Sequence, residues 1–579
     1  MSVRLVGIAA SPGIVEGPVH LLRWEVPEVP HRIVADDHVD EELARLHAAF
    51  ARARERLQHV RARAERHAGP EEAAIFDVQL SILQDVSLVE HVEALVRQNL
   101  GAEKAFDLAM LEWRTQFARH PHAMLRERVG DLVDVHIRVL SILLDLGDHD
   151  PVDVPKGAGA ILVTHDLTPS ITVQLDRDAI AAIATDAGTT TSHIAILARS
   201  LGLPAVVGLR EAASRLRGGE RAVLDGGAGT LTVAPDEREV AEFRTRARLE
   251  EQEAAELRQL AELEPVTLDG VRLVLRANVD LPDEAELAAT SGAEGVGLMR
   301  TEFLVVGRAS MPDEEEQYRA YVRVVEAFGG RPVIIRTYDV GGDKLPVGGY
   351  PSEANPFLGW RAIRMCLDEP ELFRAQLRAL LRAALHGDVR VMLPLVVSLD
   401  EVRQARALLS QAADELRARG VPFRESLPLG MMVETPAAAV AADTFRGAVD
   451  FFSIGTNDLV QYTLAVDRGN VQLAPRFTPL HPAVLRLIAH VVRTANEQGI
   501  DVAVCGEMAS QPVMAFALLG LGLRQLSVGP RSVLAVKRIV RGVRAADAER
   551  AARAALAAST AAEAEGILNR ALDAALGRA

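Results

Sequence analysis

Eight short apolar runs alternate with helical stretches after Pro265, and this alternation restricts the fold more than any other feature of the chain. The runs have lengths suited to single β-strands, and in order they read VRLVLRANV, GVGLMR, VIIRTY, VRVMLPLV, LGMMVET, DFFSIGT, DVAVCGE and QLSVGP. Eight β-runs separated by helices are typical of a (β/α)₈ barrel. The pattern therefore predicts a TIM barrel over residues 264–579.

The first half of the chain predicts a helical bundle inserted into a smaller α/β domain. Residues 2–23 are typical of short strands and turns, and short apolar runs return between Val154 and Val233. Between them, apolar side chains recur at alternating steps of three and four, which places them on one helix face: Leu43, Leu46, Phe50, Ala53, Leu57 and Val60. Because the early strands find no partners among these helices, the simplest arrangement pairs them with the later sheet.

Four segments follow from these changes of pattern, the third of them charge-dense and without Gly or Pro. They are an α/β domain of residues 1–30 and 150–235, a helical insert of residues 31–149, a linker helix of residues 236–263 and the barrel of residues 264–579. Within the insert, Ser87 and Glu90 predict a capping box for a helix that Gly101 ends.

Charge, cysteine content and hydropathy exclude several classes of protein. The formal net charge of −16 argues against a nucleic-acid-binding protein, because phosphate backbones favour clustered Lys and Arg. The two cysteines, Cys366 and Cys505, are too few for a disulfide framework and too widely spaced for a zinc knuckle. No stretch reaches the roughly 18 to 20 uncharged apolar residues that a membrane span needs. We therefore expect a cytoplasmic protein without membrane insertion.

Polar side chains follow the predicted barrel strands, and in such a barrel the C-terminal strand ends share one mouth. In chain order they are Asn278, Arg300, Glu302, Arg336, Asp339, Lys344, Glu434, Asn457, Asp458, Cys505 and Glu507. A single arginine or glutamate there is usually part of a surface ion pair. Several converging guanidinium groups, however, repel one another unless an anion lies between them, and arginine suits phosphate and carboxylate oxygens. Because Glu434 and Asp458 add oxygens suited to Mg²⁺, the set predicts a small phosphate ester bound with magnesium.

Cys505 follows an apolar run directly, so a buried, purely structural role is the simplest alternative for it. Its position in a charged strand-end cluster favours proton transfer or nucleophilic chemistry instead. Cys366 lies in the helical pattern WRAIRMCLDEP, and we assign it to packing.

A second cluster surrounds His193 in TDAGTTTSHIAILARSLGLPAVVG. The histidine follows four hydroxyl residues, Thr189 to Ser192, and opens a predicted helix that also carries Arg199. An isolated histidine there is usually a helix cap or a core residue. In this pattern, free N–H groups, hydroxyls and the helix end favour an imidazole that accepts phosphate.

These motifs resemble the enzyme I family of the bacterial phosphoenolpyruvate-dependent sugar phosphotransferase system, within the phosphoenolpyruvate (PEP)-utilising enzymes. TSHIAILARSLGLPAVVG resembles their phosphohistidine segment, and the barrel motifs are similar to their PEP-binding domain: GVGLMRTEFL, RTYDVGGDKLP, NPFLGWRAIR, MMVETPAAA, FFSIGTNDLVQYTLAVDR and CGEMAS. The resemblance implies a swivelling phosphohistidine α/β domain, an inserted helical domain that binds the phosphocarrier protein HPr, and a PEP-binding barrel that forms a homodimer.

The resemblance also implies residue roles. His193 is expected to take the phosphate from PEP and pass it to HPr, and Cys505 to donate the proton that completes pyruvate. The implied substrate contacts are Arg300, Arg336, Lys344, Arg361, Asn457, Asp458 and Arg468. Glu434 and Asp458 are the implied Mg²⁺ ligands. Thr189 and Thr190 depart from the family pattern, which usually has Gly and then a variable residue, and this departure bears on the rate of phosphorylation.

Two alternatives remain open beside this interpretation. PEP synthase and pyruvate phosphate dikinase share the motifs, but the insert is too short for their ATP-grasp domain and carries no Gly-rich nucleotide loop. Another PEP-utilising phosphotransferase with a different acceptor fits the barrel equally well. A catalytically inactive PEP sensor requires a broken site, whereas His193, Cys505 and both carboxylates are present.

Overall fold

A computed structural model describes most of the chain. It leaves out residues 1, 23, 25, 68–74, 119–127, 147–153, 155–156, 158, 168–170, 172–178, 189–193, 196–197, 199–201, 306–309, 342–352, 354, 469, 471–472, 474–475 and 578–579. His193, Arg199 and Lys344 are thus outside the described residues, as are Thr189 and Thr190. The chain divides into two compact units, Met1–Glu253 and Ala254–Ala579.

The first unit contains a sheet that the described residues build from eight strands. They are β1 (Val3–Val6), β2 (Ile8–Ser11), β3 (Ile14–Leu22), β4 (Ala160–Thr164), β5 (Ile180–Thr185), β6 (Ala205–Val207), β7 (Arg221–Asp225) and β8 (Thr230–Val233). Their order is β1-β8-β7-β3-β4-β5-β6-β2. β1 pairs with β8, β2 with β6, and β3 with both β4 and β7. Each strand before the helical insert therefore pairs with strands after it, which confirms the predicted insertion.

Helices form the insert between β3 and β4. The described ones are α1 (Val39–His67), α2 (Ile75–Leu83), α3 (Val86–Val96), α4 (Ala102–Ala118) and α5 (Val129–Leu143). Leu46, Phe50, Ala53 and Leu57 are at most 3% exposed and pack in the bundle core, as their spacing predicts. After β4 the unit adds α6 (Ala212–Arg215), and α7 (Glu237–Arg258) covers most of the predicted linker helix.

The predicted ends of α3 are wrong at both termini. Asp85, not Ser87, is the N-cap, and its carboxylate accepts hydrogen bonds from the N–H groups of Ser87 at 2.9 Å and Leu88 at 3.4 Å. A carboxylate serves both donors and suits the positive helix end. At the other end the helix stops at Val96, and Asn99 rather than Gly101 takes the left-handed conformation, with φ of 69°.

The second unit is a closed parallel barrel, which its described residues build from eight strands. They are β9 (Val274–Val279), β10 (Val296–Met299), β11 (Val333–Arg336), β12 (Val389–Leu393), β13 (Leu429–Val433), β14 (Phe451–Ile454), β15 (Asp501–Val504) and β16 (Gln525–Val528). Each strand falls within one of the eight apolar runs, so the predicted TIM barrel is confirmed.

Helices follow or connect the barrel strands. They are α8 (Ala285–Thr290), α9 (Glu314–Ala327), α10 (Ile363–Asp368), α11 (Pro370–Ala383), α12 (Leu399–Ala418), α13 (Pro436–Val440), α14 (Thr456–Leu464), α15 (Pro482–Gln498), α16 (Pro512–Gly520), α17 (Val533–Gly542), α18 (Ala545–Ala557) and α19 (Ala561–Ala575). Every helix in the described part of the chain is too short or too polar to serve as a membrane span.

The barrel interior decides which side chains reach its mouth. Inside the barrel, a compact apolar cluster is formed by Leu298, Ile334, Met392, Met432, Phe451 and Cys505. Strand side chains alternate between the two faces of a sheet, so a residue two positions further along points the same way. Arg300, Arg336 and Glu434 therefore follow Leu298, Ile334 and Met432 on the inner face and emerge where the strands end.

Glu314 ties three barrel helices together through arginines. Its carboxylate lies 2.7 Å from Arg378, 2.8 Å from Arg382 and 2.9 Å from Arg419. Partial burial alone raises the pKa of Glu314, but hydrogen bonds from these three guanidinium groups outweigh it and hold the pKa at about 2. A carboxyl group with a depressed pKa stabilises the fold above its unfolded pKa of about 4.3. That contribution is lost as the pH falls towards 2.

We expect Glu314→Gln to destabilise the barrel by about 2 kcal/mol at pH 7, because three partly buried arginines lose their shared anion. Thermal unfolding followed by circular dichroism measures this difference. It should shrink as the pH falls below about 4, because the wild-type carboxyl group then becomes protonated. Glu371→Gln is the matched control, since the side chain of Glu371 is 85% exposed and pairs only with Arg374. Equal midpoints for the two variants would contradict this account.

Candidate active site

Carboxylates hold the arginines at the barrel mouth in fixed positions. Arg300 follows β10 and donates to both oxygens of Asp280, at 2.9 and 3.1 Å. Arg336 ends β11, is 5% exposed and donates to Glu302. Burial disfavours the charged form of each arginine, yet the neighbouring carboxylates outweigh it and raise the pKa of both guanidinium groups. Both arginines are therefore cationic and preoriented.

Asp339 joins two of the arginines. Its Oδ2 lies 3.0 Å from Arg336 and its Oδ1 accepts from Arg361 at 2.5 Å. Burial raises the pKa of Asp339, but the two guanidinium groups lower it by more, so the carboxylate is ionised. The sequence marked Asp339 as a polar strand-end residue without assigning it a role. In the fold it sets the spacing between Arg336 and Arg361.

Phe357 organises a second pair of arginines. The guanidinium carbons of Arg361 and Arg468 lie 5.6 and 5.8 Å from the centroid of its ring, within cation–π range. The hydroxyl of Tyr462 donates to the Phe357 carbonyl at 2.5 Å, which fixes the short segment that carries the ring. Phe357 was not among the predicted site residues. It lies in the motif NPFLGWRAIR, but an aromatic residue there is also typical of core packing.

Two carboxylates face each other across neighbouring strand ends. Glu434 follows β13 and is 2% exposed, and Asp458 lies in the first turn of α14 and is 6% exposed. Glu434 Oε1 accepts from the backbone N–H of Leu395 at 2.7 Å. Burial, and then the charges of Asp458 and Asp339, raise the pKa of Glu434 to about 8. Asp458 Oδ1 has no hydrogen-bond partner in the described residues and lies 3.8 Å from Arg468.

This pair of carboxylates suits a hard divalent cation. A buried carboxyl group with a raised pKa beside a second carboxylate is a site where positive charge is missing. No group of three or more His, Cys, Asp or Glu side chains converges as a metal site within the described residues. Two carboxylates with further positions left for water or substrate oxygens match the way proteins hold Mg²⁺.

Cys505 lies directly after β15 at the edge of the apolar interior. It is 2% exposed, and its thiol donates to the carbonyl of Ile454 at 3.8 Å. Burial raises the pKa of Cys505 to about 11, and the nearby carboxylate of Glu434 adds to this shift. The thiol therefore keeps its proton at neutral pH. Asn457, half-buried, stands next to Asp458 at the start of α14.

The predicted residues thus gather unequally. Contacts and mutual electrostatic effects bring one group together at the mouth: Arg300, Arg336, Arg361, Glu434, Asp458, Arg468 and Cys505. Asn457 joins them by its position beside Asp458. His193 and Lys344 lie outside the described residues, so their places stay predictions.

Comparison with known families gives the class of this fold and site. A model described as "PEP-utilising enzyme, PEP-binding domain" matches residues 254–545, which contain all eight barrel strands. The N-terminal domain model of the same enzymes matches residues 6–128, and their mobile-domain model matches residues 156–229. The chain is a PEP-utilising enzyme.

Full-length relatives narrow the class. A phosphoenolpyruvate-protein phosphotransferase of Geobacillus stearothermophilus is 43% identical, with 92% of each chain covered. Those of Staphylococcus carnosus and Haemophilus influenzae are 39% and 40% identical and cover 94% and 98% of both chains. The chain belongs to the phosphoenolpyruvate-protein phosphotransferase family, known as enzyme I, which confirms the resemblance found in the sequence.

Proposed function

We propose that this enzyme transfers phosphate from PEP to its own His193 and then to a histidine of HPr, releasing pyruvate as the first general step of sugar uptake and phosphorylation. The observation that carries the proposal is the barrel mouth, where arginines held by carboxylates surround a metal-suited carboxylate pair and a protonated thiol. Such a set fits the carboxylate, the phosphate and the enol carbon of one small molecule.

Arginines supply the binding of PEP in this proposal. Arg300, Arg336, Arg361 and Arg468 would hold the phosphate and carboxylate oxygens through charge-assisted hydrogen bonds, with Lys344, Asn457 and Asp458 assisting. Arg336 and Arg361 are already spaced by Asp339, so little order is gained when the substrate arrives. Preorganised positive charge also stabilises the loose transition state of phosphoryl transfer.

The bond changes assign a role to Cys505. As the P–O bond of PEP breaks, its electron pair stays on the enol oxygen, and a P–N bond forms to the imidazole of His193. The enolate then collapses to a carbonyl, and its C=C electron pair takes the proton of the Cys505 thiol to make the methyl group of pyruvate. A thiol with a pKa of about 11 holds that proton until the enolate appears. The remaining thiolate regains a proton from water.

A divalent metal ion is part of the chemistry of PEP-utilising enzymes, and we propose Mg²⁺ held by Glu434 and Asp458. Both side chains are almost fully buried, and Asp458 Oδ1 has no hydrogen-bond partner in the described part of the chain. When bound, Mg²⁺ would neutralise charge on the phosphate and the enolate. Glu434 is kept in place by the Leu395 N–H, so one oxygen is oriented before any metal binds.

Gly455→Ala is expected to weaken metal binding by about tenfold, because its new Cβ would lie 2.7 Å from Glu434 Oε2 and 2.8 Å from Met432 Sδ. The backbone itself, with φ of −86°, accepts alanine, so only the carboxylate must move. Calorimetric titration with Mn²⁺ or Mg²⁺ measures the effect. Gly529→Ala is the matched control, since Gly529 also directly follows a barrel strand but has open space around it. Unchanged affinity in Gly455→Ala would contradict the assignment of Glu434.

The remaining partners of the enzyme are also proposals. The helical insert of residues 31–149 would bind HPr, and the barrel would form a homodimer, as the resemblance to enzyme I implies. A cytoplasmic location fits a protein that exchanges phosphate with a small carrier. Sedimentation equilibrium of the whole chain and of its HPr complex tests the first two.

Radiolabelled PEP, Mg²⁺ and purified HPr test the proposed function in one reaction. We expect label on HPr and an equal amount of pyruvate, measured with lactate dehydrogenase. Label on this enzyme that never reaches HPr would favour a different acceptor. PEP binding by calorimetry without any pyruvate would favour the sensor and overturn the proposal.

A further inference from the structure

Asn278 is a buried amide at the strand ends that the proposed chemistry leaves without a role. It lies in β9 and is 8% exposed. Its Nδ2 donates to the backbone carbonyl of Cys505 at 3.1 Å, and its Oδ1 accepts from the Ser527 hydroxyl at 2.6 Å. A carbonyl accepts only from the NH₂ end of an amide, so this arrangement fixes which way Asn278 points.

The Cys505 carbonyl lies just beyond the ladder of backbone hydrogen bonds. β15 and β16 share one paired position, Val504 with Leu526, whereas β14 and β15 share four. The amide of Asn278 thus reaches from β9 past β16 to a peptide group that follows the end of β15. A donor at this place substitutes for a missing ladder bond.

The same peptide is confined from its other side. A Cβ at Gly506 would lie 1.8 Å from Thr456 Oγ1, so the backbone after Cys505 packs closely against the start of α14. A Cβ at Gly297 would lie 2.3 Å from Ser527 Oγ, so Ser527 is tightly packed as well. Asn278 therefore bridges two closely packed groups, with little freedom to move.

We propose that Asn278 and Ser527 are positioning residues for Cys505: they fix the 505–506 peptide and, through it, the direction of the thiol. The inference rests on the proposed function, in which the thiol must point at the enol carbon when the P–O bond breaks. Neither residue touches substrate in this account. Their contribution lies in the geometry of proton delivery, where small misplacements are costly.

Single-turnover experiments with the whole chain, PEP and Mg²⁺ test the proposal by rapid quench. We expect Asn278→Ala to lower the maximal rate of pyruvate formation by roughly 10- to 100-fold, with half-saturation by PEP within about twofold of wild type. Ser527→Ala should change the same rate in the same direction by less. In a Cys505→Ala background, Asn278→Ala should have almost no further effect, because both changes act on one step.

Gln317→Ala provides the matched control. Gln317 is another buried amide of this unit that donates to a carbonyl, of Pro312 at 3.0 Å, and accepts from a hydroxyl, of Tyr321 at 3.0 Å. Its loss should lower the thermal midpoint without changing the rate.

Rate losses for Asn278 and Cys505 that multiply, or weaker PEP binding at an unchanged rate, would overturn the positioning role. Should Asn278→Ala not fold, Ser527→Ala in the same cycle decides. A wild-type chain that forms no pyruvate refutes the proposed function instead, which keeps the two failures distinct.

Discussion

Cys505→Ala is expected to lower the rate of pyruvate formation by about 1,000-fold while the dissociation constant for PEP stays within about twofold. The thiol is buried and holds its proton with a pKa of about 11, and alanine removes that proton without adding charge. PEP binding depends on the arginines, which the substitution leaves in place. Rapid-quench kinetics and calorimetry measure the two quantities separately.

Cys366→Ala is the control for that experiment. Cys366 lies in α10, is fully buried, and its thiol pKa is raised by burial as well. Its replacement should affect stability alone, because it packs in the core between helices. A Cys505 variant that forms pyruvate at the wild-type rate would remove the thiol from the proposed mechanism.

Glu434→Gln is expected to have opposite effects on activity and on stability. Losing one of two metal-suited carboxylates should lower metal-dependent pyruvate formation by about 1,000-fold. In the presence of a chelator, the same change should stabilise the protein by about 2 kcal/mol, because Glu434 and Asp458 are buried close together without a cation. Stopped kinetic assays and thermal unfolding with EDTA measure the two effects.

Glu294→Gln separates this effect from the loss of any barrel glutamate. Glu294 precedes β10 at the opposite end of the barrel, accepts from the Leu275 N–H at 3.2 Å and pairs with Arg272. Its replacement should leave pyruvate formation unchanged and should not stabilise the fold. If Glu434→Gln lost stability in chelator as well, the interpretation of an electrostatically strained metal site would be wrong.

The sequence predicts much of this fold because strand and helix patterns depend on local spacing. Each of the eight apolar runs contains one barrel strand, and the charged residues that end them meet at one mouth. Arg336 and Glu434 were predictable because inward-facing strand positions repeat every second residue. The pairing of β1, β2 and β3 with strands beyond the helical insert was predictable by elimination.

Other features depend on contacts between residues far apart in sequence, and no spacing reveals them. Asp339 bridges Arg336 and Arg361, Phe357 lies against Arg361 and Arg468, and Asn278 contacts a residue 227 positions away. The cap of α3 failed for a different reason. Asp85 and Ser87 are both good capping residues, and the carboxylate prevails because it accepts two N–H groups.

Intact-protein mass spectrometry after incubation with PEP and Mg²⁺ tests the central claim most directly, with the wild type, His193→Ala and His165→Ala compared side by side. His165 belongs to the same unit and follows β4, so it controls for the loss of any nearby histidine. The account predicts one acid-labile phosphate on the wild type and on His165→Ala, and none on His193→Ala. A phosphate that persists on His193→Ala, or a wild type that binds PEP without being phosphorylated, would contradict it.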